Sequence, residues 1–397
     1  MGVGGAVFAI VGTAARLAGT HPAGLRVQVR RLNRVRVAFD EQIFALQFYG
    51  GISRMFAELA KQFYANPGMG VELLPLNAPV INRYILDDDL VRSRMAVRDA
   101  KHEYRSLLRY MARIQPRPGN DIVHNTFYLP HGLSGYPGAK RVVTVHDMIP
   151  EMMPTTRRRL DFLTLKKRYV THADHVICVS QSTKEHLLDT YGAIKAPISV
   201  VHHGVDPQFT PGAARHPGLP ERYVLFVGNR SQYKDASVLM KAFADVAHHE
   251  PELALLFVGG GAFTAAELRY LKSLGIDGRA VQTSLPDTVM PAAYGNALMC
   301  VFPSRFEGFG LPALEAMACG TPTVLAQGTS LPEVGGTAAA YFEPGDADGL
   351  ADVMEKMILN PTLRTHHREA GIDRARRFTW RKSAEETVSA YTSALAN

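Results

Sequence analysis

The chain repeats one unit: a short apolar run, a glycine turn, then a helix with one apolar face. The first instance is "VRVAFD" at 35–40, Gly50-Gly51, and "ISRMFAELAKQF" at 52–63, where Ile52, Met55, Phe56, Leu59 and Phe63 recur at helical spacing. Apolar runs follow at 121–125, 141–147, 175–180 and 198–204, several separated by helix-like segments of mixed polarity. The pattern then restarts with "YVLFVGN" at 223–229. A helical 236–249 carries Leu239, Met240, Phe243 and Val246 on one side, and "LALLFVGGG" follows at 253–261. Runs at 280–285, 297–304 and 321–327 complete it. Parallel strands need a crossover helix, and that helix covers a sheet face, so the alternation predicts parallel sheets buried on both faces. The expected fold class is α/β, with two Rossmann-like doubly wound domains.

The seam between the units is the Pro- and Gly-dense stretch 202–222. The expected division is an extension over 1–33, a first domain over 34–203 and a second over 204–379. Two such sheets face each other across a crevice at the carboxyl ends of their strands, where open parallel sheets bind ligands. Functional residues are therefore sought on loops that follow strands.

With 46% hydrophobic and 20% charged residues, the chain has the apolar content for real cores, which excludes a disordered class. A net charge of +7 favours anionic partners without choosing among phosphorylated metabolites, an anionic membrane surface and nucleic acid. Cys178, Cys300 and Cys319 lie far apart with no CxxC spacing, and read as reduced core residues of a cytosolic protein. The apolar run near the start is interrupted by Arg16 and lacks the positive lead of a signal peptide. It also falls short of the roughly 20 apolar residues a spanning helix needs. Residues 1–33 read either as a loose extension or as a weak membrane-surface anchor, backed by Arg26, Arg30, Arg31, Arg34 and Arg36.

The stretch "RFEGFGLPALEAMACGTP", 305–322, concentrates the chemistry. Pro312 suits the first position of a helix and Gly320 the position just past its end, which predicts a helix from Pro312 to Cys319. Glu307 then lies on the loop before the helix and Glu315 near its first turn, with Gly308 and Gly310 between them. Carboxylates accept hydrogen bonds from hydroxyls, which is how sugars and riboses are gripped, while free amides at a helix start suit an anion. Taken alone, Glu315 reads as an acid complementing a helix dipole; the pair with two glycines between them points to a ligand. In "FVGNRSQYKD", Arg230 and Lys234 follow a strand end and suit a diphosphate, although an exposed basic turn has the same composition. In "TVHDMIPEMMP", His146 and Asp147 close a strand; His146 could donate to a sugar hydroxyl, or be structural. Gly50-Gly51 would let amides approach a phosphate, or simply make a tight turn. His124, His202 and His203 read as structural. The basic stretch 155–172 looks helical, either as a solvated face or as a surface resting on anionic lipid.

"PSRFEGFGLPALEAMACGTPTV", 303–324, resembles the E-x7-E signature of the retaining glycosyltransferases of family 4, the group 1 enzymes with the GT-B fold. "YGGISRMFAELA", "VHDMIPEMMP" and "VGNRSQYKD" are similar to that family's glycine loop, His-Asp turn and diphosphate site; 330–346 and 378–395 resemble its closing segments. The resemblance implies that Glu307 contacts the transferred sugar and that the backbone of Gly308, Phe309, Gly310 and Leu311 lies along sugar and phosphate. It implies that Glu315 holds the ribose, that Arg230 and Lys234 stabilise the departing diphosphate, that Gly50 and Gly51 approach the phosphates, and that His146 sits at the donor sugar. A terminal helix, 380–397, would cross back onto the first domain.

The expected activity is therefore transfer of a sugar, with mannose from GDP-mannose as the guess, from a nucleoside-diphosphate sugar to a saccharide or lipid-linked acceptor. No cofactor is expected, and metal independence is expected because Arg230, Lys234 and a helix start would meet the departing charge. Nucleic acid is not an expected partner; the expected place is the cytoplasm or the inner face of the membrane. The competing classes are a glycoside hydrolase or phosphorylase-like enzyme, which would not need Arg230 and Lys234 at a strand end, and a non-catalytic partner subunit.

Overall fold

The computed structural model describes residues 34–100, 118–133, 135–152 and 157–397. The expectations for 1–33 and for the first residues of the basic stretch lie outside that range. Two six-stranded sheets form the frame. The first lobe contains β1 (Val35–Phe39), β2 (Val71–Leu73), β5 (Ile122–Asn125), β6 (Lys140–Val145), β7 (His175–Cys178) and β8 (Ile198–Val200), in the order β2-β1-β5-β6-β7-β8. A short parallel pair, β3 (Pro79–Val80) and β4 (Arg98–Asp99), stands apart. The second lobe contains β9 (Arg222–Val227), β10 (Leu253–Val258), β11 (Ala280–Thr283), β12 (Met299–Phe302), β13 (Thr323–Ala326) and β14 (Ala340–Phe342), in the order β11-β10-β9-β12-β13-β14. Every pairing in both sheets is parallel, for example Val37 with Ile122 and Leu225 with Cys300. The central strands β5, β7, β12 and β13 are buried along their whole length, which is why they read as unbroken apolar runs rather than alternating ones.

The order of each sheet reverses beside its first strand. The chain runs outward from β9 through β10 to β11, then crosses back to place β12 on the other side of β9, so the loops after β9 and β12 part and leave room between them. That switch point receives Lys234 from one loop and Glu307 from the other.

The terminal helix, Trp380–Ala396, packs on the helix Gly51–Ala65 and on β6 and β7 of the first lobe. Its Tyr391 hydroxyl meets His124 Nδ1 at 2.8 Å, and Thr144 meets the other ring nitrogen at 2.8 Å. His124 is thus a satisfied core residue, and burial pushes its pKa down to about 3. The two chain crossings between lobes run side by side: Val205 donates its N–H to the Phe378 carbonyl at 3.1 Å. A Cβ on Gly204 would lie 2.1 Å from the Trp380 nitrogen, so only glycine fits that crossing. Among the described residues, no helix is long and apolar enough to cross a membrane.

Candidate active site

The signature helix spans Leu311–Ala318, one residue earlier than the proline suggested, with Gly310 as its N-cap. Gly310 has φ 106°, a left-handed conformation that glycine adopts without strain. Glu315 falls in the second turn rather than the first, so the helix-dipole reading fails. Its carboxylate is 6% exposed. One oxygen accepts from Arg54 Nη1 at 2.7 Å and the other from the Tyr294 hydroxyl at 3.0 Å. Arg54 comes from the other lobe, in the first turn of the helix that follows Gly50-Gly51, and lies between the rings of Tyr84 and Phe209, with Asp206 at 3.6 Å. Burial pushes the Glu315 carboxyl up to about 7, with Arg54 pulling against it. Burial also opposes the guanidinium charge, but Glu315 and its neighbours outweigh that and raise Arg54 above its ordinary range.

Glu307 and Lys234 are brought together. The ammonium donates to Glu307 Oε1 at 2.5 Å, and both side chains are nearly buried. Lys234 ends a short turn, Gln232–Lys234, and its pKa is raised because Glu307 outweighs the cost of burying the charge. The Glu307 backbone is held at both ends, by Thr329 Oγ1 on its N–H (3.0 Å) and by the Ser330 hydroxyl on its carbonyl (3.0 Å).

His146 and Gly308 are also in contact. A Cβ at 308 would lie 1.8 Å from the His146 carbonyl oxygen, and the Gly308 carbonyl accepts from the hydroxyls of Ser180 (2.6 Å) and Thr183 (3.0 Å) in the same lobe as His146. Gly308 thus makes room for the other lobe's backbone, where the resemblance implied a sugar. Neither ring nitrogen of His146 has a hydrogen-bond partner, and burial, helped by His203 and His124, keeps the imidazole neutral. Burial also raises the Asp147 carboxyl.

Three expected ligand residues have other neighbours. Arg230, expected at a diphosphate, donates to Glu267 (2.7 Å) and to the carbonyls of Gly259 (3.2 Å), Gly261 (3.0 Å) and Ala262 (2.9 Å). It pins the glycine turn after β10. Phe309 points inward, packed among His202, His203 and Phe378 and edge-on to the latter two. Leu311 packs against the cores of both lobes. Gly50 and Gly51 begin a helix whose first turn has no acidic residue and no side-chain cap. A cavity of about 580 Å³ lies beside the Gln232–Lys234 turn, lined by residues such as Arg230, Tyr233, Glu267, Tyr270 and Arg305, but by none of Glu307, Glu315 or His146.

Several residues of the site escaped the sequence reading. Arg54 sits on the buried side of its helix, 8% exposed. Lys166, in the basic helix Arg157–Thr171, is 1% exposed and donates to the Asp147 carbonyl (2.6 Å) and to Glu151 (3.0 Å), which fixes the His-Asp turn. The signal was available: Lys166 lies three and four residues before Tyr169 and Val170, on their helical face. Glu333 accepts the backbone N–H of Gln181 on both carboxylate oxygens and meets His202 Nε2 at 2.6 Å, tying the lobes together. No group of three or more His, Cys, Asp or Glu that could hold a metal occurs among the described residues.

Two parallel doubly wound lobes with charged residues gathered on the loops after their strands define an α/β protein of the GT-B class. The chain matches the family described as "Glycosyl transferases group 1" over residues 215–374 and "Glycosyltransferase Family 4" over 49–209. It is 31% identical over 310 residues to a D-inositol 3-phosphate glycosyltransferase of Thermobifida fusca, covering 69% of this chain and 70% of that one. It is 27% identical over 283 residues to O-antigen chain mannosyltransferase B of Escherichia coli, covering 67% and 72%. Among solved structures, Anabaena HepE in complex with UDP and glucose superposes with a TM-score of 0.64 at 17% identity, covering 90% of this chain and all of that one. The chain belongs to the group 1 glycosyltransferases, and it is a nucleotide-sugar-dependent transferase.

Proposed function

We propose that the crevice between the lobes takes a nucleoside-diphosphate sugar and passes the sugar, with retained anomeric configuration, to a saccharide or lipid-linked saccharide. The observation that carries this is the Lys234–Glu307 pair at the switch point of the second sheet, next to a His146 whose nitrogens have no protein partner. Breaking the sugar–phosphate bond leaves negative charge on the diphosphate. A buried ammonium and the start of the helix at Gly51, where the Ser53 N–H is already taken by Gln47 Oε1 (3.2 Å), are the positive groups placed to meet it, which is electrostatic stabilisation of developing charge. Glu307 accepts from sugar hydroxyls once Lys234 turns to the phosphate, and a neutral His146 can donate to one. Glu315 holds the ribose, which requires Arg54 to yield. Attack from the face of the departing phosphate accounts for retention without a carboxylate nucleophile. Mannose from GDP-mannose is the donor we favour, supported by the likeness to a mannosyltransferase. The first lobe, 34–203 with the terminal helix, serves the acceptor side and 204–379 the donor side. A cytoplasmic location is supported by cysteines that are all free and buried; the inner membrane face remains part of this proposal.

The test is a screen of nucleotide sugars and nucleoside diphosphates for thermal stabilisation and slow hydrolysis, followed by Lys234→Ala and Glu307→Ala. Both variants are expected to keep the fold and lose transfer by at least about a hundredfold, the scale seen when one electrostatic donor is removed. Transfer near the wild-type rate in either variant defeats the assignment.

A further inference from the structure

Phe48 is 40% and Tyr49 54% exposed, the only aromatic side chains among the strongly exposed large apolar residues of the described chain. They sit directly before Gly50, the N-cap of the helix whose Arg54 reaches Glu315 of the other lobe. Their rings are 5.2 Å apart and edge-on, and Tyr49 meets Tyr84 at 5.3 Å. Burial, with Asp287 of the second lobe, holds the Tyr84 hydroxyl above its ordinary range, and its ring lies 5.7 Å from the Arg54 guanidinium. Edge-on ring contacts thus link Phe48 through Tyr49 to Tyr84, which lies beside Arg54 at the seam. Its backbone is fixed: Arg83 N–H donates to the Phe48 carbonyl at 3.0 Å, and the Asn82 side chain donates to the Gln47 carbonyl at 2.9 Å.

We infer that the exposed Tyr49 ring, braced edge-on by Phe48 and Tyr84, is the platform on which a pyranose ring of the acceptor stacks. A pyranose presents a face of C–H groups that suits an aromatic ring, and hydroxyls at its edge that need charged or polar partners. Arg83, with Asp87 and Asp99 bonded to it, supplies that edge. The same charges argue against a lipid surface. Asp87, Asp88 and Asp89 run together beside the rings, and an acidic run repels the anionic leaflet that exposed aromatics would otherwise enter. The inference rests on the saccharide acceptor of the proposed function and adds where that acceptor is held.

The experiment presents the full chain to a panel of immobilised pyranose oligosaccharides. It compares the wild type, the double variant Phe48→Ala/Tyr49→Ala, and Tyr49→Phe. The wild type is expected to bind at least one glycan. The double variant should lose about tenfold or more in affinity, the scale of a lost aromatic stack, while Tyr49→Phe retains binding because the ring remains. Failure of the wild type to bind any glycan, or equal binding by the double variant, overturns the platform. So does platform-dependent binding to phosphatidylglycerol vesicles without glycan binding. Thermal stabilisation by GDP and UDP is measured on the same proteins. Its absence from the wild type defeats the donor reading alone, and its loss only in the double variant shows a disturbed fold and overturns the platform.

Discussion

Replacing Arg54 by Gln should destabilise the protein in a strongly pH-dependent way. Glu315 is 6% exposed, and burial raises its carboxyl from an ordinary 4.5 to about 7. A carboxyl raised in the folded state binds its proton more tightly there than in the unfolded chain. Its contribution to stability is complete below about 4.5 and is lost as pH rises through 7, for a total of ~3 kcal/mol at 1.36 kcal/mol per pH unit. Arg54 is what limits that loss, since its charge favours the carboxylate. At pH 5.5 Glu315 is protonated with or without Arg54. The variant then loses the guanidinium's contacts with the Tyr84 and Phe209 rings, one hydrogen bond and the ion pair with Asp206, roughly 1–3 kcal/mol in all, with the Asp206 part the same at both pH values. At pH 8.5 the wild type holds an ion pair, whereas the variant must keep a proton against the solvent or bury a lone charge, which costs about 3–5 kcal/mol.

The assay is urea unfolding followed by fluorescence of Trp380, the single tryptophan, which lies at the lobe crossing and reports the seam directly. The difference between wild type and Arg54→Gln should widen by roughly 2–3 kcal/mol from pH 5.5 to 8.5. Adding Glu315→Gln should recover most of the loss at the higher pH, because no charge remains to be buried. Equal destabilisation at both pH values, or a double variant no better than the single one, would refute the reasoning.

Gly308→Ala should leave the circular dichroism of the protein unchanged yet lower transfer by at least about tenfold, because a Cβ 1.8 Å from the His146 carbonyl forces the lobes apart at the reacting centre. Arg230→Lys should lower the melting temperature in the absence of any nucleotide, since a lysine cannot serve Glu267 and three carbonyls at once; an unchanged melting temperature would return Arg230 to the role of a free diphosphate cation.

The alternation of apolar runs and amphipathic segments was enough to expect two doubly wound sheets, because parallel strands are buried on both faces and leave an unmistakable pattern. Short edge strands such as Val71–Leu73 carry no such run and were not legible. Within the site, Glu307 and Lys234 were legible because glycine turns after strands mark where side chains reach a crevice. Arg230 stood at the same kind of turn and reads identically in sequence. What separates it is Glu267 and the carbonyls of a turn about thirty residues away, which no local pattern announces. Arg54 was hidden for the opposite reason: a charge among Ile52, Met55 and Phe56 reads as the polar side of a helix until its partner on the other lobe is known.

That partner explains why motif residues here have two readings at once. Gly308 accommodates the His146 backbone, Phe309 packs on the crossing histidines, Leu311 joins both cores, and Glu315 bonds to Arg54 across the seam. Four residues of one signature thus hold the lobes closed. A donor that uses the same backbone and the same carboxylate must exchange its own contacts for these. Binding and opening are therefore coupled by construction: a ligand shifts the lobes only by as much as its contacts exceed the ones it replaces. Lys234 and Glu307 pair within one lobe, so their contact, unlike the seam contacts, does not depend on how the two lobes meet.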